Sequence, residues 1–213
     1  MDWSADGWRS AFRIELRVQA IGLASRGWPV LPGTYPEGNR WTGRSGNEAA
    51  QDQAASGPEP VNADWRRRTE QHLDPDQVAS LWTDNPYSLL VATGTEVEAL
   101  EVDADSGKRA AGALRSMDAP APIVATPEGR WYFLTKPGQH LRAELADSGR
   151  VTLHGIGSWV PMPPTTYQHG VVHWRVKPEV CGWQLPAPEL VQEALCTGLE
   201  DIENVVNLVA VGS

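Results

Sequence analysis

Two carboxylates, Glu101 and Asp103, stand two residues apart in Leu100-Glu101-Val102-Asp103. The apolar residues between them read as a strand, and strand alternation sends both acids to one face, about 7 Å apart at roughly 3.3 Å per residue. That separation suits a shared pair of divalent ions such as Mg2+ or Mn2+, which align a nucleophile with a phosphate and neutralise the charge that develops. Acids two apart are common by chance, so the pair takes its meaning from the elements that position it.

Ser88 to Thr93 reads as a buried strand ending at Gly94, and Val97 to Val102 as the next, so the short turn between them predicts a hairpin. After Asp103 an Ala-rich helix runs from Lys108 to Met117 and is closed by Pro120 and Pro122. Ile123–Thr126 and Arg130–Leu134 are predicted strands around the turn Thr126-Pro127-Glu128-Gly129. Val151–Leu153, Trp159–Pro161 and Val171–Val176 complete a β-rich second half. Upstream, apolar residues at helical spacing from Trp8 to Arg26 stop at Gly27, and Trp28–Pro32 leaves as a short strand. Residues 33–63, rich in Gly, Pro, Ser and Asn, are expected to form a long, partly disordered loop. Asp74 caps a helix that starts at Pro75 and ends at Asn85-Pro86.

The predicted fold class is therefore α/β (α+β). A mixed or antiparallel sheet containing strands 88–93, 97–103, 123–126 and 130–134 is flanked by helices 8–26, 74–84 and 107–117. A domain over residues 1–186 is followed by an amphipathic C-terminal helix within 187–213. Its apolar stripe over residues 189–209 runs about 30 Å at 1.5 Å per residue. It needs cover, which predicts a homodimer through that helix, with packing back onto its own domain as the alternative.

At 213 residues the chain can bury a sizeable core, and no apolar run approaches the roughly 20 residues that span a bilayer. The start Met1-Asp2-Trp3-Ser4-Ala5-Asp6 lacks a basic-then-apolar layout, so a cytoplasmic location away from membranes is expected. Cys181 and Cys196 belong to no metal or redox cluster and read as buried free thiols. The net charge of −9 falls wholly on residues 73–213, and no Lys or Arg follows Glu179. No basic stripe is evident beyond Arg66-Arg67-Arg68, which argues against tight binding of nucleic acid.

The order of landmarks resembles the N-terminal prim-pol domain of bifunctional DNA primase/polymerases, of the archaeo-eukaryotic primase superfamily. Ala24-Ser25-Arg26-Gly27-Trp28-Pro29-Val30-Leu31-Pro32 matches the family's opening segment. Asp74, Val78, Trp82, Asn85-Pro86 and Thr93-Gly94 follow in the family's order. Glu101-Val102-Asp103 falls where the family has Asp-x-Asp, and Thr126-Pro127-Glu128-Gly129-Arg130-Trp131-Tyr132-Phe133 where it has a Gly-rich turn and strand. Pro163-Pro164-Thr165 and His173-Trp174 close the match, which covers roughly residues 18–176.

The resemblance implies a paired Asp and a third carboxylate holding two divalent cations, and a His after the Gly-rich turn contacting nucleotide phosphates. This chain departs at each point. Glu101 replaces one Asp, and its extra methylene displaces the ligating oxygens from the geometry that octahedral Mg2+ demands. Arg130 or Trp131 stands nearest the missing His, so these two are the nucleotide-binding candidates; Arg130 suits phosphate by its guanidinium, or is a solvated strand residue. Val151-Thr152-Leu153-His154-Gly155, where the third acid belongs, has no carboxylate. His154 and His173 lack a paired ligand spacing and read as surface or hydrogen-bonded residues, as do His72, His140 and His169. Thr93-Gly94-Thr95 and Thr126-Pro127-Glu128-Gly129 are either phosphate cradles or tight turns.

Two functions remain. One is a catalytically degenerate prim-pol-like protein without a cofactor, acting through an unknown protein partner or in regulation; small stand-alone relatives of this kind are similar to actinobacterial proteins linked with aerial mycelium formation. The other is an active primase/polymerase or other nucleotidyltransferase using Mg2+ or Mn2+ at an altered Glu101 and Asp103 site.

Overall fold

The computed structural model describes residues 5–44, 57–66, 73–138 and 140–211, with side chains described for residues 11–44, 57–66, 73–138 and 140–199. Helix α1 (Ala5–Ala24) leads to strands β1 (Val30–Gly33), β2 (Tyr35–Glu37) and β3 (Arg40–Thr42), then helix α2 (Pro75–Leu81). Strands β4 (Ser88–Ala92) and β5 (Glu98–Asp103), helix α3 (Ala104–Ser116), strands β6 (Ile123–Ala125) and β7 (Arg130–Thr135) and helix α4 (Ala143–Ser148) follow. The chain continues through β8 (Thr152–His154), β9 (Trp159–Pro161), β10 (Thr166–Tyr167), β11 (Gly170–Val171) and β12 (His173–Val176) to helix α5 (Pro188–Val211). These elements form an α+β fold, as the sequence predicts. No described helix is long and apolar enough to cross a membrane.

The chain divides into two units, Met1–Glu96 with Ile156–His173 and Val97–Gly155 with Trp174–Ser213. In the first, Leu16, Ala20 and Leu23 of α1 are buried, which is the stripe that helical spacing produces. The helix ends at Gly27: its N–H donates to Ala24 O, and the Trp28 N–H reaches back to Leu23 O. Gly27 has φ +79°, a left-handed conformation that glycine takes without strain. Strands β1, β4 and β9 form an antiparallel sheet in that order, with Val91 paired to Val30 on one side and Val160 on the other. Asp74 caps α2 as expected, its side chain accepting from the Asp76 and Gln77 amides while Gln77 Oε1 accepts from the Asp74 N–H.

Two expectations need correction. Strands β4 and β5 do not form a hairpin and belong to different sheets. Both edges of β4 are taken by β1 and β9, and both edges of β5 by β7 and β8, so neither has backbone groups left for the other. The segment 33–63 is also more ordered than its composition suggests. Strands β2 and β3 form a hairpin across Gly38-Asn39, and Trp41 is buried edge-on against Tyr167. Thr34 N–H donates to Glu59 O and Val61 N–H to Pro32 O. A few aromatic anchors and backbone bonds suffice to order it; residues 45–56 of the expected loop lie outside the described residues.

In the second unit five strands run in the order β12-β6-β7-β5-β8. Leu100, Val102, Trp131 and Phe133 of this sheet share a core with Ala110 and Leu114 of α3 and with Val191, Ala194, Leu195 and Leu199 of α5. Arg109 Nε donates to Gly198 O at 3.1 Å, joining the two helices. The helix expected as an appendage thus supplies core residues as far as Leu199; the side chains of its later residues lie outside those described.

Two glycines of α3 report on this packing. A Cβ at Gly107 would lie 2.7 Å from the Trp131 ring, whereas one at Gly112 meets nothing within 4 Å. Gly112→Ala is expected to gain about 0.5–1 kcal/mol from helix propensity. Gly107→Ala is expected to lose about 1–2 kcal/mol net, because overpacking against a rigid ring outweighs the same gain. Urea unfolding of the two variants checks the opposite signs.

Candidate functional site

Strand β5 carries both acids, and its neighbours decide what meets them. Glu101 lies opposite Tyr132 of β7, Asp103 opposite Arg130, and Ala99 opposite His154 of β8. Directly opposed residues share a face, so Glu101, Asp103, Arg130, Tyr132 and His154 occupy one side of the sheet. Trp131 necessarily takes the other. There it is buried, with Gly107 against its ring and the Arg175 guanidinium 5.0 Å from a ring centroid. The site expected to use Arg130 or Trp131 therefore includes only Arg130.

Glu101 is the hub. Arg130 Nε donates to its Oε1 at 2.6 Å, and His154 Nε2 lies 2.6 Å from its Oε2. Each reaches Glu101 along a diagonal, from the pair position next to it on the neighbouring strand. Burial pushes the Glu101 carboxyl up, but hydrogen bonds and charge from His154 and Arg130 together outweigh that and leave it below the usual carboxylate range. The Tyr132 ring sits 5.5 Å from that of His154. Burial first, and then the Glu101 charge, push its phenol up, so Tyr132 remains a neutral hydroxyl near neutral pH.

Asp103 has a different task. It is the N-cap of α3: Oδ1 accepts from the Asp105 and Ser106 amides at 3.0 and 2.9 Å, and Oδ2 accepts from Ser106 Oγ at 2.7 Å. The helix consequently begins at Ala104, earlier than residue 107. Burial raises the Asp103 carboxyl, yet the Ser106 and Asp105 donors and the Arg130 charge bring it below its ordinary value.

A two-ion centre needs carboxylate oxygens turned toward the ions and further anionic ligands. Here all four oxygens of Glu101 and Asp103 accept from groups of the chain itself. Among the described residues no group of three or more His, Cys, Asp or Glu side chains is placed to hold a metal ion. In this arrangement, with Arg130 and His154 on Glu101 and the α3 cap on Asp103, the residues do not fit a pair of Mg2+ or Mn2+ ions.

Other candidates resolve into structure. Gly94 brings its backbone against Ile156, and the Thr126–Gly129 turn closes on itself through Gly129 N–H to Thr126 O. Arg66 lies over Trp65 and donates to Gly157 O; Arg67, Arg68 and His72 lie outside the described residues. His140, His169 and His173 are exposed as expected, and Cys181 and Cys196 are only half-buried. His154, read from the sequence as a surface or hydrogen-bonded residue, is hydrogen-bonded to Glu101, and Tyr132 is the site residue that sequence reasoning missed. Tyr132 was accessible by alternation from Arg130, while nothing local marks His154.

The sequence profile of the bifunctional DNA primase/polymerase N-terminal family matches residues 20–190. A comparison with curated protein sequences finds no match.

Proposed function

Because the chain belongs to the bifunctional DNA primase/polymerase N-terminal family, we propose that it is a catalytically silent member that acts by binding another protein rather than by joining nucleotides. One observation carries this reading: Glu101 is ion-paired with Arg130 and within hydrogen-bonding distance of His154, while Asp103 is committed to capping α3. In the family that the sequence resembles, divalent ions supply the positive charge facing the paired acids. In this chain side chains supply it. Arg130 stands near the place of the phosphate-contacting His, and His154 lies on the strand where the resemblance puts the third acid. A cytoplasmic location and a regulatory role, including one in development, belong to the same proposal.

The test is template-dependent primer synthesis and extension with Mg2+ or Mn2+, beside calorimetry with nucleotides and each ion. No incorporation above background is expected, since losing a metal ligand or a charge clamp removes several kcal/mol of transition-state stabilisation. Incorporation that disappears in Asp103→Asn, which keeps an oxygen for the helix cap, would overturn the proposal. The second reading is nucleotidyl transfer at an altered metal site. It is favoured by the common sheet face of Glu101, Asp103 and His154, which would offer a metal ion two carboxylates and an imidazole. It requires Arg130 to leave Glu101, and the same assay decides it.

Self-association through α5 narrows to the part after Leu199, because Val191, Ala194, Leu195 and Leu199 already serve the core. The sequence there keeps apolar residues at Ile202, Val205, Val206 and Val209. Light scattering is expected to give a dimer for the full chain and a monomer for a chain ending at Leu199. A monomeric full-length protein would remove this part of the proposal.

A further inference from the structure

A cavity of about 750 Å³ opens within the first unit. Phe12, Tyr35 and Pro86 contribute flat apolar walls, and Arg13, Glu37 and Ser88 contribute polar groups. Its volume lies in the range of small-molecule sites, which combine mostly apolar walls with a few convergent polar groups.

Ser88 is the informative residue. It is 2% exposed, and its Oγ has no hydrogen-bond partner. Buried hydroxyls are normally satisfied, and one left without a partner is costly unless a bound molecule or water supplies it. This one lines a cavity. The charges then discriminate among ligands. Arg13 and Glu37 both line it, so its walls carry one group of each charge. A molecule carrying both charges satisfies both. Burial, and then the Glu37 charge, push the Tyr35 phenol up, which keeps that wall uncharged.

We propose that this cavity binds a small zwitterion with an aromatic side group, the chemistry of an aromatic α-amino acid. Its carboxylate pairs with Arg13, its ammonium with Glu37, and its ring lies among Phe12, Tyr35 and Pro86, with a polar atom meeting Ser88 Oγ. The assignment is independent of whether the Glu101 site is catalytic, since it shares no residue with it.

Calorimetric titration with L-tryptophan as the probe tests it, alongside tryptamine, which lacks the carboxylate, and 3-indolepropionate, which lacks the ammonium. Tryptophan is expected to bind one-to-one, and each truncated probe about tenfold more weakly or worse, the loss of one charged hydrogen bond. Arg13→Gln should erase the preference over tryptamine, and Glu37→Gln the preference over 3-indolepropionate. Ser88→Ala should weaken tryptophan binding while leaving the ligand-free protein at least as heat-stable as the parent, because the orphaned hydroxyl is gone. Should Ser88→Ala not fold, Glu37→Gln at the exposed rim still decides the matter. Absence of saturable binding up to about 10 mM, far weaker than any functional site, would overturn the proposal. So would equal affinity for all three probes, or affinities that none of the substitutions changes.

Discussion

Alanine in place of Gly94 is expected to cost about 4 kcal/mol or more, an effect at the far end of what single substitutions do. Gly94 has φ +105°, and a Cβ there would stand 2.4 Å from Ile156 Cα and 2.5 Å from Ile156 N. Those are backbone atoms, which cannot rotate away. They are also held in place, because the neighbouring Thr93 N–H donates to Ser158 O at 3.0 Å. Gly27 is the control. Its φ of +79° is also left-handed, but a Cβ there meets nothing within 4 Å, so Gly27→Ala should cost only about 1–2 kcal/mol of backbone strain. Urea unfolding of both variants isolates the clash from the conformational penalty. Equal losses would show that Ile156 does not pack against Gly94. This contact also accounts for the Thr93-Gly94-Thr95 turn without a phosphate: the glycine is there so that two stretches of backbone can touch.

Glu101→Ala is expected to destabilise the protein by about 2–3 kcal/mol, the cost of leaving buried donors without their acceptor. The larger share belongs to His154, whose side chain is 18% exposed; Arg130 is 35% exposed, so solvent screens its contribution to less than about 1 kcal/mol. The sign separates the two functional readings. Carboxylates kept for metal ions repel one another when the ions are absent, and removing one of them typically raises stability at the expense of activity. A carboxylate serving as an internal hub does the reverse. Replacing the whole cluster, with Glu101→Leu, Arg130→Met and His154→Leu together, should recover much of the loss, as apolar substitutes for buried ion pairs often do.

The same cluster sets an acid limb. The Glu101 and Asp103 carboxyls are lowered in the folded chain. Their contribution is therefore fully present above the ordinary carboxylate range of about 4 and is lost as pH falls through the folded-state values. Glu101→Ala should flatten that decline in part, with Asp103 supplying the remainder. Unfolding measured from about pH 7 downward through the carboxylate range follows this loss. A Glu101→Ala protein more stable than its parent at neutral pH would favour the metal-binding reading instead.

Several parts of this site could be read from residues alone. Alternation placed Glu101 and Asp103 on one face, and the same rule, applied to Arg130 and Trp131, shows that neighbours on a strand cannot both serve one site. Asp103-Ala104-Asp105-Ser106 is an N-cap signature, legible once the helix is taken to start at Ala104 instead of Lys108. Pairing was not legible. Thr93-Gly94-Thr95 between two apolar runs looks like a hairpin turn, and only the occupied edges of β4 and β5 prevent one. His154 lies 53 residues from Glu101 and reaches it through the register of β8 on β5, which no local pattern specifies.

Helix ends at Gly27 and Asp74, the capping potential of Asp103 and the shared face of the two acids were determined by the sequence itself, because each depends on sterics and hydrogen bonds within a few residues. Which strands share a sheet, and that the donors on Glu101 are Arg130 and His154, were decided only by the tertiary structure. Strand pairing consumes the hydrogen-bonding edges of segments far apart in the chain. An edge taken by one partner is closed to every other, and that outcome depends on how the whole unit packs.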